Sequence, residues 1–174
     1  LGVRKLDVLI LSHGHHDHAG GAATIAKNIP IGKILVPEGK DSRDLEQLWH
    51  VLKSQKIVYK IQTNAIFALK KCIICSIEAP DYREERCEGN ESSAVVKICQ
   101  DGKSILFTGD ATEEIEMSTL YKQIASNVLK LSHHGSRTSS AREFLQKVNP
   151  QLTIISAGRK NRFGHPHKEV LARL

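Results

Sequence analysis

Long apolar runs are absent: no stretch of the chain approaches the roughly 18 residues needed to cross a membrane as a helix. The opening Leu1-Gly2-Val3-Arg4 lacks a basic region followed by an apolar stretch, so it does not read as a secretory signal. Cysteine is scarce. Cys72, Cys75, Cys87 and Cys99 are too few and too unevenly placed for a disulfide scaffold in 174 residues, so a reducing, cytoplasmic setting is the default expectation. Aromatics make up only 5%, which leaves aliphatic side chains to build the core. Low-complexity tracts, internal repeats and Gly/Pro-rich linkers are missing too. With 40% hydrophobic and 25% charged residues, one globular domain over 1–174 is expected rather than disorder or a two-domain array. The net charge of +6 permits an anionic partner, DNA among them, but many solvated surfaces carry as much.

Histidine is what the chain has in an unusual arrangement. Eight of the nine fall in three clusters: His13, His15, His16 and His18; His133 and His134; His165 and His167. Each cluster follows an expected strand. Asp7 to Leu11 is a short apolar run, followed by Ser12 and the first cluster, a helix over 22–29, a strand over 33–36 and a helix opened by Ser42 as N-cap. In that last helix Leu45, Leu48, Trp49 and Leu52 recur at helical spacing and read as core. Residues 56–61, 65–69 and 72–77 read as consecutive strands, and 80–90 as a loop. Residues 94–99 and 104–107 read as a hairpin turning at Asp101-Gly102. A helix over 113–124, a strand over 128–131, a helix over 140–148, a strand over 153–156 and a helix from Lys168 complete the pattern. Strands alternating with helices imply an α/β layered fold, in which sites form at strand ends.

His13-Gly14-His15-His16-Asp17-His18 contains the pattern H-x-H-x-D-H. On a tight loop, alternate side chains converge on one point, so His13 and His15 can hold one metal ion while Asp17 and His18 face a second. Imidazole suits zinc, and added carboxylate admits manganese or iron. A two-ion site needs a bridging carboxylate, and Asp110, after the run Ile105-Leu106-Phe107, is the candidate. His133 or His134 completes the set. Adjacent residues leaving a strand point in different directions, so one is expected to bind metal and the other to contact substrate or support the ligands. His133, first after the strand, is the slightly favoured ligand.

These elements, in this order, resemble the metallo-β-lactamase superfamily. The phrases LSHGHHDHAGG at 11–21, NESSAVV at 90–96, ILFTGDA at 105–111, LKLSHHGSRTSS at 129–140 and GHPHKEVLARL at 164–174 are similar to the hydrolase domain of ComEC-type competence proteins and their soluble relatives. The resemblance implies a metallo-β-lactamase-like αββα sandwich, lacking here its opening strands and final strand, so that 1–174 reads as a domain truncated at both ends. It implies two divalent ions, Zn or Mn, that generate a hydroxide nucleophile, and a phosphodiester substrate such as DNA. It also allows a membrane channel domain to adjoin this one in the natural protein. Hydrolysis of another ester (lactone, thioester or phosphorylcholine ester) and a catalytically weak metal-binding module are the alternatives. Many members of the superfamily carry a further ligand histidine before the Gly-Asp strand end. Here only His50 lies in that interval, within an expected helix, and it reads as structural.

The loop 158–167 is basic and glycine-flanked. Arg159, Lys160 and Arg162 are candidates to hold phosphate oxygens, and His165 to position or protonate a leaving group. Asp17 is expected to orient the attacking water as well as to bind metal. Ser136 is a further candidate phosphate contact, or a cap for the next helix. Cys72 and Cys75 have C-x-x-C spacing without a second pair and read as buried free thiols.

Overall fold

The computed structural model describes residues 2–37, 43–52, 57–61, 64–69, 72–78 and 89–174. The N-terminal half is a run of βαβ units. Strand β1 (Leu6–Ile10) leads through the short helices α1 (His16–Ala19) and α2 (Ala22–Asn28) to β2 (Ile31–Pro37). Helix α3 (Arg43–Leu52) then leads to β3 (Val58–Ile61), and the three strands form a parallel sheet in the order β1-β2-β3. The second sheet has six strands in sequence order: β4 (Ile66–Ala68), β5 (Ile73–Glu78), β6 (Val95–Gln100), β7 (Lys103–Phe107), β8 (Val128–Lys130) and β9 (Leu152–Ile154). Strands β4 to β7 pair antiparallel, and β7, β8 and β9 pair parallel. The crossovers carry α4 (Glu113–Ser118) and α5 (Arg142–Val148), and α6 (Lys168–Leu171) follows β9.

Two sheets between two helix layers require three apolar zones, and three are found. Helices α1 to α3 bury Ala22, Ala23, Leu45, Leu48 and Leu52 against Ile34 and Val36, with half-buried Trp49 alongside. Leu35, Ile61, Ile74, Ala94 and Val96 fill the space between the sheets. Phe144, Leu145, Val148, Ile115 and Val170 cover Val95, Leu106 and Leu129 on the outer face of the second sheet. Alternation along each strand explains the split: Val95 and Val96 point to opposite faces, as do Leu35 and its neighbours Ile34 and Val36. This is the αββα sandwich expected from the sequence. On the inter-sheet face, Val96 pairs with Phe107, and the same face continues to Ile154 two strands on. Phe107, Leu152 and Ile154 are exposed among the described residues.

The consecutive strands expected over 56–61, 65–69 and 72–77 are present and divide between the two sheets: β3 extends the first, and β4 opens the second. Two expectations are corrected. Helix α4 stops at Ser118 rather than running to Ile124. The hydroxyls of Ser118 and Thr119 donate to the carbonyls of Ile115 and Glu116 at 2.8 and 2.6 Å, offering the backbone an alternative to further helical turns. Helix α6 is one turn, ending at Leu171. The hairpin at Asp101-Gly102 is present, with both residues at positive φ, the geometry that a two-residue turn needs. The Ser42 cap, Cys87 and most of the 80–90 loop lie outside the described residues. Cys72 and Cys75 are unpaired, as expected, but half-buried rather than fully buried.

Phe144 is fully enclosed in the zone beneath the second sheet. Phe144→Ala should lower unfolding free energy by about 3–5 kcal/mol. A urea titration checks this, and a loss below about 1 kcal/mol would contradict the packing described.

Candidate metal centre

Strand ends deliver the site. Ser12 follows β1, and its carbonyl accepts the Ala94 N–H at 2.9 Å, joining the two sheets directly before His13. Strand β7 ends in Thr108, whose hydroxyl donates to the Lys130 carbonyl of β8 at 2.8 Å. Gly109 then turns with φ +54, and a Cβ there would fall 2.7 Å from Ser12, so both conformation and space call for glycine. Asp110 follows, its N–H donating to Ser93 Oγ at 3.0 Å. After β8, the His133 N–H donates to the Gly109 carbonyl at 3.1 Å. His133 and His134 both adopt left-handed backbone, at φ 46 and 56. For residues with a Cβ this costs roughly 1–2 kcal/mol each, so the surrounding structure must hold them there.

The side chains so placed form two donor groups that share one carboxylate. Asp17, His18, Asp110 and His134 present ligand atoms within 4.8 Å of one another, and so do His13, His15 and Asp110. Asp110 Oδ1 lies 3.0 Å from His18 Nε2 and 3.4 Å from His134 Nε2. Its Oδ2 lies 3.8 Å from His13 Nε2. Asp17 Oδ2 lies 3.2 Å from His134 Nε2, and the two imidazole nitrogens of His18 and His134 approach to 3.3 Å.

The outer nitrogens decide which atoms are free to bind. His134 Nδ1 is 2.7 Å from the Ser156 carbonyl, which can only accept, so Nδ1 carries a proton and Nε2 is the nitrogen turned toward Asp17 and Asp110. His13 Nδ1 faces the hydroxyls of Ser12 and Ser93 at 3.2 and 3.3 Å, while its Nε2 is buried without a hydrogen-bond partner. A buried, unpartnered nitrogen aimed at a buried carboxylate fits a metal ligand set. Burial, then His18, depresses the His13 imidazole to about 3, so it is neutral and ready to coordinate. Burial alone would raise Asp110, but close His18 and the nearby His134 outweigh it and hold the carboxyl at about 2, ionised. Imidazole with carboxylate suits zinc and manganese.

The remaining predicted residues divide. His133 Nε2 is 3.9 Å from Asp110 and 3.3 Å from Asn90 Nδ2, outside both donor groups, whereas His134, the residue the sequence favoured less, falls inside one of them. A cleft of about 710 Å³ opens over the centre, lined by Asp17, Asp110, His133, His134, Arg162 and His165 among others. Arg159 and Lys160 are exposed on the same loop but do not line it. Ser136 is buried and faces Thr138 Oγ1 at 3.0 Å, so it does not reach the cleft. His165 stands 5.7 Å from His133, ring to ring. Burial, then His167, lowers its imidazole below the usual range. The loop is pinned by Asn161, which donates to the carbonyls of Gly158 and His165 and accepts from the His165 N–H. His50 is exposed on α3, away from the donor groups, and His16 turns outward to Asp44 at 3.1 Å. Sequence reasoning gave Asn90 and Ser93 no roles of their own and did not single out the exposed Phe163, whose ring lies 4.8 Å from the Arg162 guanidinium. The phrase NESSAVV holds the first two, but nothing local marks their roles.

Known proteins resemble this chain in sequence and in fold. Residues 1–82 match the family described as the metallo-beta-lactamase superfamily. The chain is 33% identical over 176 residues to ComE operon protein 3 of Bacillus subtilis, covering 98% of this chain and 22% of that protein. It is 34% identical over 180 residues to Recombination protein 2 of Haemophilus influenzae, covering 97% of this chain and 20% of that one. The chain thus spans about a fifth of the length of these curated relatives. Among solved structures, a putative metal-dependent hydrolase from Parabacteroides distasonis superimposes with a TM-score of 0.63 at 14% identity, covering 98% of this chain and 73% of that one. At that identity, the likeness concerns the fold.

An exposed imidazole takes a proton near 6.5, whereas His13 in the metal-free fold resists it down to about 3. The stability that His13 contributes is therefore complete above pH 6.5 and is lost as pH falls toward 3. Urea midpoints of the metal-free protein should fall more steeply over this range than those of His13→Gln. Parallel curves would show that His13 is not held neutral.

Proposed function

We propose that this chain, which belongs to the metallo-β-lactamase superfamily, is a metal-dependent hydrolase of phosphodiesters that acts on DNA in a DNA-uptake setting. The observation that carries the reading is Asp110, one buried carboxylate shared by two donor groups at the floor of an open cleft. Divalent ions held by His13, His15 and Asp110 and by Asp17, His18, Asp110 and His134 would supply Lewis acidity and a water acidic enough to react near neutral pH.

The chain's own residues do the rest. His13 and Asp110 enter in the protonation states that binding needs, neutral and anionic. Asp17 has a largely exposed carboxylate on the cleft and orients the attacking water. Arg162 offers two parallel N–H donors to phosphoryl oxygens. His165, across from His133, is placed to donate a hydrogen bond to the leaving oxygen. Support for DNA comes from the +6 charge, the basic loop and the competence and recombination names of the relatives, which include the Competence protein ComA of Neisseria gonorrhoeae. No helix among the described residues is long and apolar enough to cross a membrane.

The test incubates zinc- or manganese-loaded protein with single- and double-stranded DNA, a lactone and a thioester. The expected result is DNA cleavage that chelator abolishes and that Asp110→Asn lowers by about a hundredfold or more. Replacing Arg159, Lys160 and Arg162 together by Gln should raise KM for DNA roughly tenfold at low salt and leave any neutral ester unaffected. Turnover of the lactone or thioester without DNA cleavage would overturn the phosphodiester reading.

A further inference from the structure

Glu116 is fully buried in α4 and belongs to neither donor group. Its Oε1 accepts from Ser132 Oγ at 2.5 Å and from the Ser140 N–H at 2.9 Å, and its Oε2 accepts from the Ala141 N–H at 2.9 Å. Ser132 immediately precedes the His133–His134 turn, and Ser140 and Ala141 lead into α5. One carboxylate therefore ties together both ends of the segment 132–141. Helix α4 is itself anchored: Ile115 packs in the same apolar zone as Phe144, and the Glu113 N–H donates to the Thr138 carbonyl at 3.0 Å.

The tied segment is the one that needs holding. His133, His134 and Ser140 all have positive φ, which residues with a Cβ seldom adopt unaided. With the pair so turned, the His134 Nδ1–H reaches the Ser156 carbonyl while Nε2 faces Asp17 and Asp110. A carboxylate suits the task chemically. Two backbone N–H groups cannot accept, so each needs an acceptor oxygen, and a carboxylate offers one to each with capacity left for the hydroxyl. An amide of the same size would turn an NH₂ toward one of them.

We infer that Glu116 is a positioning residue of the metal centre: by joining Ser132 to Ser140 and Ala141, it holds the His133–His134 turn in the left-handed form that aims His134 at Asp110. This rests on the reading of the site as a metal centre. Its consequence is selective, because His13 and His15 come from the β1 loop and do not depend on this clasp.

The test uses Glu116→Gln, with Ser132→Ala as a second variant that keeps the carboxylate and removes one of its three donors. In the metal-free protein, ¹⁵N NMR of the imidazoles should show His134 protonated on Nδ1 in wild type. In Glu116→Gln that tautomer preference should be lost while His13 is unchanged. Zinc titration should then show the ion that moves the His134 resonances bound at least tenfold more weakly, and the ion that moves those of His13 changed by less than threefold. A merely structural role would weaken both ions together, in step with the melting temperature, and that result overturns the inference. So does an unchanged His134 tautomer with unchanged zinc affinity. If Glu116→Gln does not fold, Ser132→Ala decides: a partial, His134-selective loss supports the inference, and no change overturns it. Wild-type protein that takes up no zinc would refute the metal-centre reading, and the imidazole spectra would still test Glu116.

Discussion

The buried carboxylate of Asp110 is the constraint around which this molecule is arranged. An anion only 3% exposed needs positive charge, strong donors or a cation beside it. Here imidazoles that follow strands of two different sheets supply the surroundings: His13 from the loop after β1, His18 from α1, and His134 from the turn after β8. Three separate chain segments therefore converge on one carboxylate. The inter-sheet hydrogen bond from Ala94 to Ser12, and the paired strands β7 and β8, fix the three strand ends relative to one another. The apolar zones on both faces of each sheet keep those strands in register, so packing and site geometry are linked through the strand ends.

Conformational cost is concentrated in the same place. Gly109, His133, His134 and Gly135 all have positive φ, within the short arc that faces Asp110. At Gly135 a Cβ would sit 2.6 Å from Pro166, so the basic loop packs against the turn that carries the histidines. The His167 N–H donates to the Gly135 carbonyl, and His167 Nδ1 accepts from the Arg137 N–H. The rim of the cleft is thus attached to its floor, which makes Arg162 and His165 part of one ordered assembly with the donor groups.

Much of this was legible in the sequence because it is local. Four candidate ligands within six residues after an apolar run declare themselves, and Asp101-Gly102 encodes its own turn through residues that tolerate positive φ. Asp110 was legible only in company, since a Gly-Asp after a strand is ordinarily a turn. Which of His133 and His134 turns toward Asp110 was not legible, because ring direction depends on two left-handed residues that no local pattern announces. Glu116 reads as one of several acids early in a helix; its partners lie 16 to 25 positions away. The division of the middle strands between two sheets was hidden for a similar reason, since β3, β4 and β5 carry like patterns and only tertiary packing separates them. Arg159, Lys160 and Ser136 were chosen for charge and proximity, and neither property says which way a loop faces.

Anomalous diffraction from crystals grown with zinc or manganese tests the central claim most directly. The account predicts two ions with Asp110 bound to both, one also held by His13 and His15 and the other by Asp17, His18 and His134. A single ion, or metal at sites that leave Asp110 uncoordinated, would contradict it.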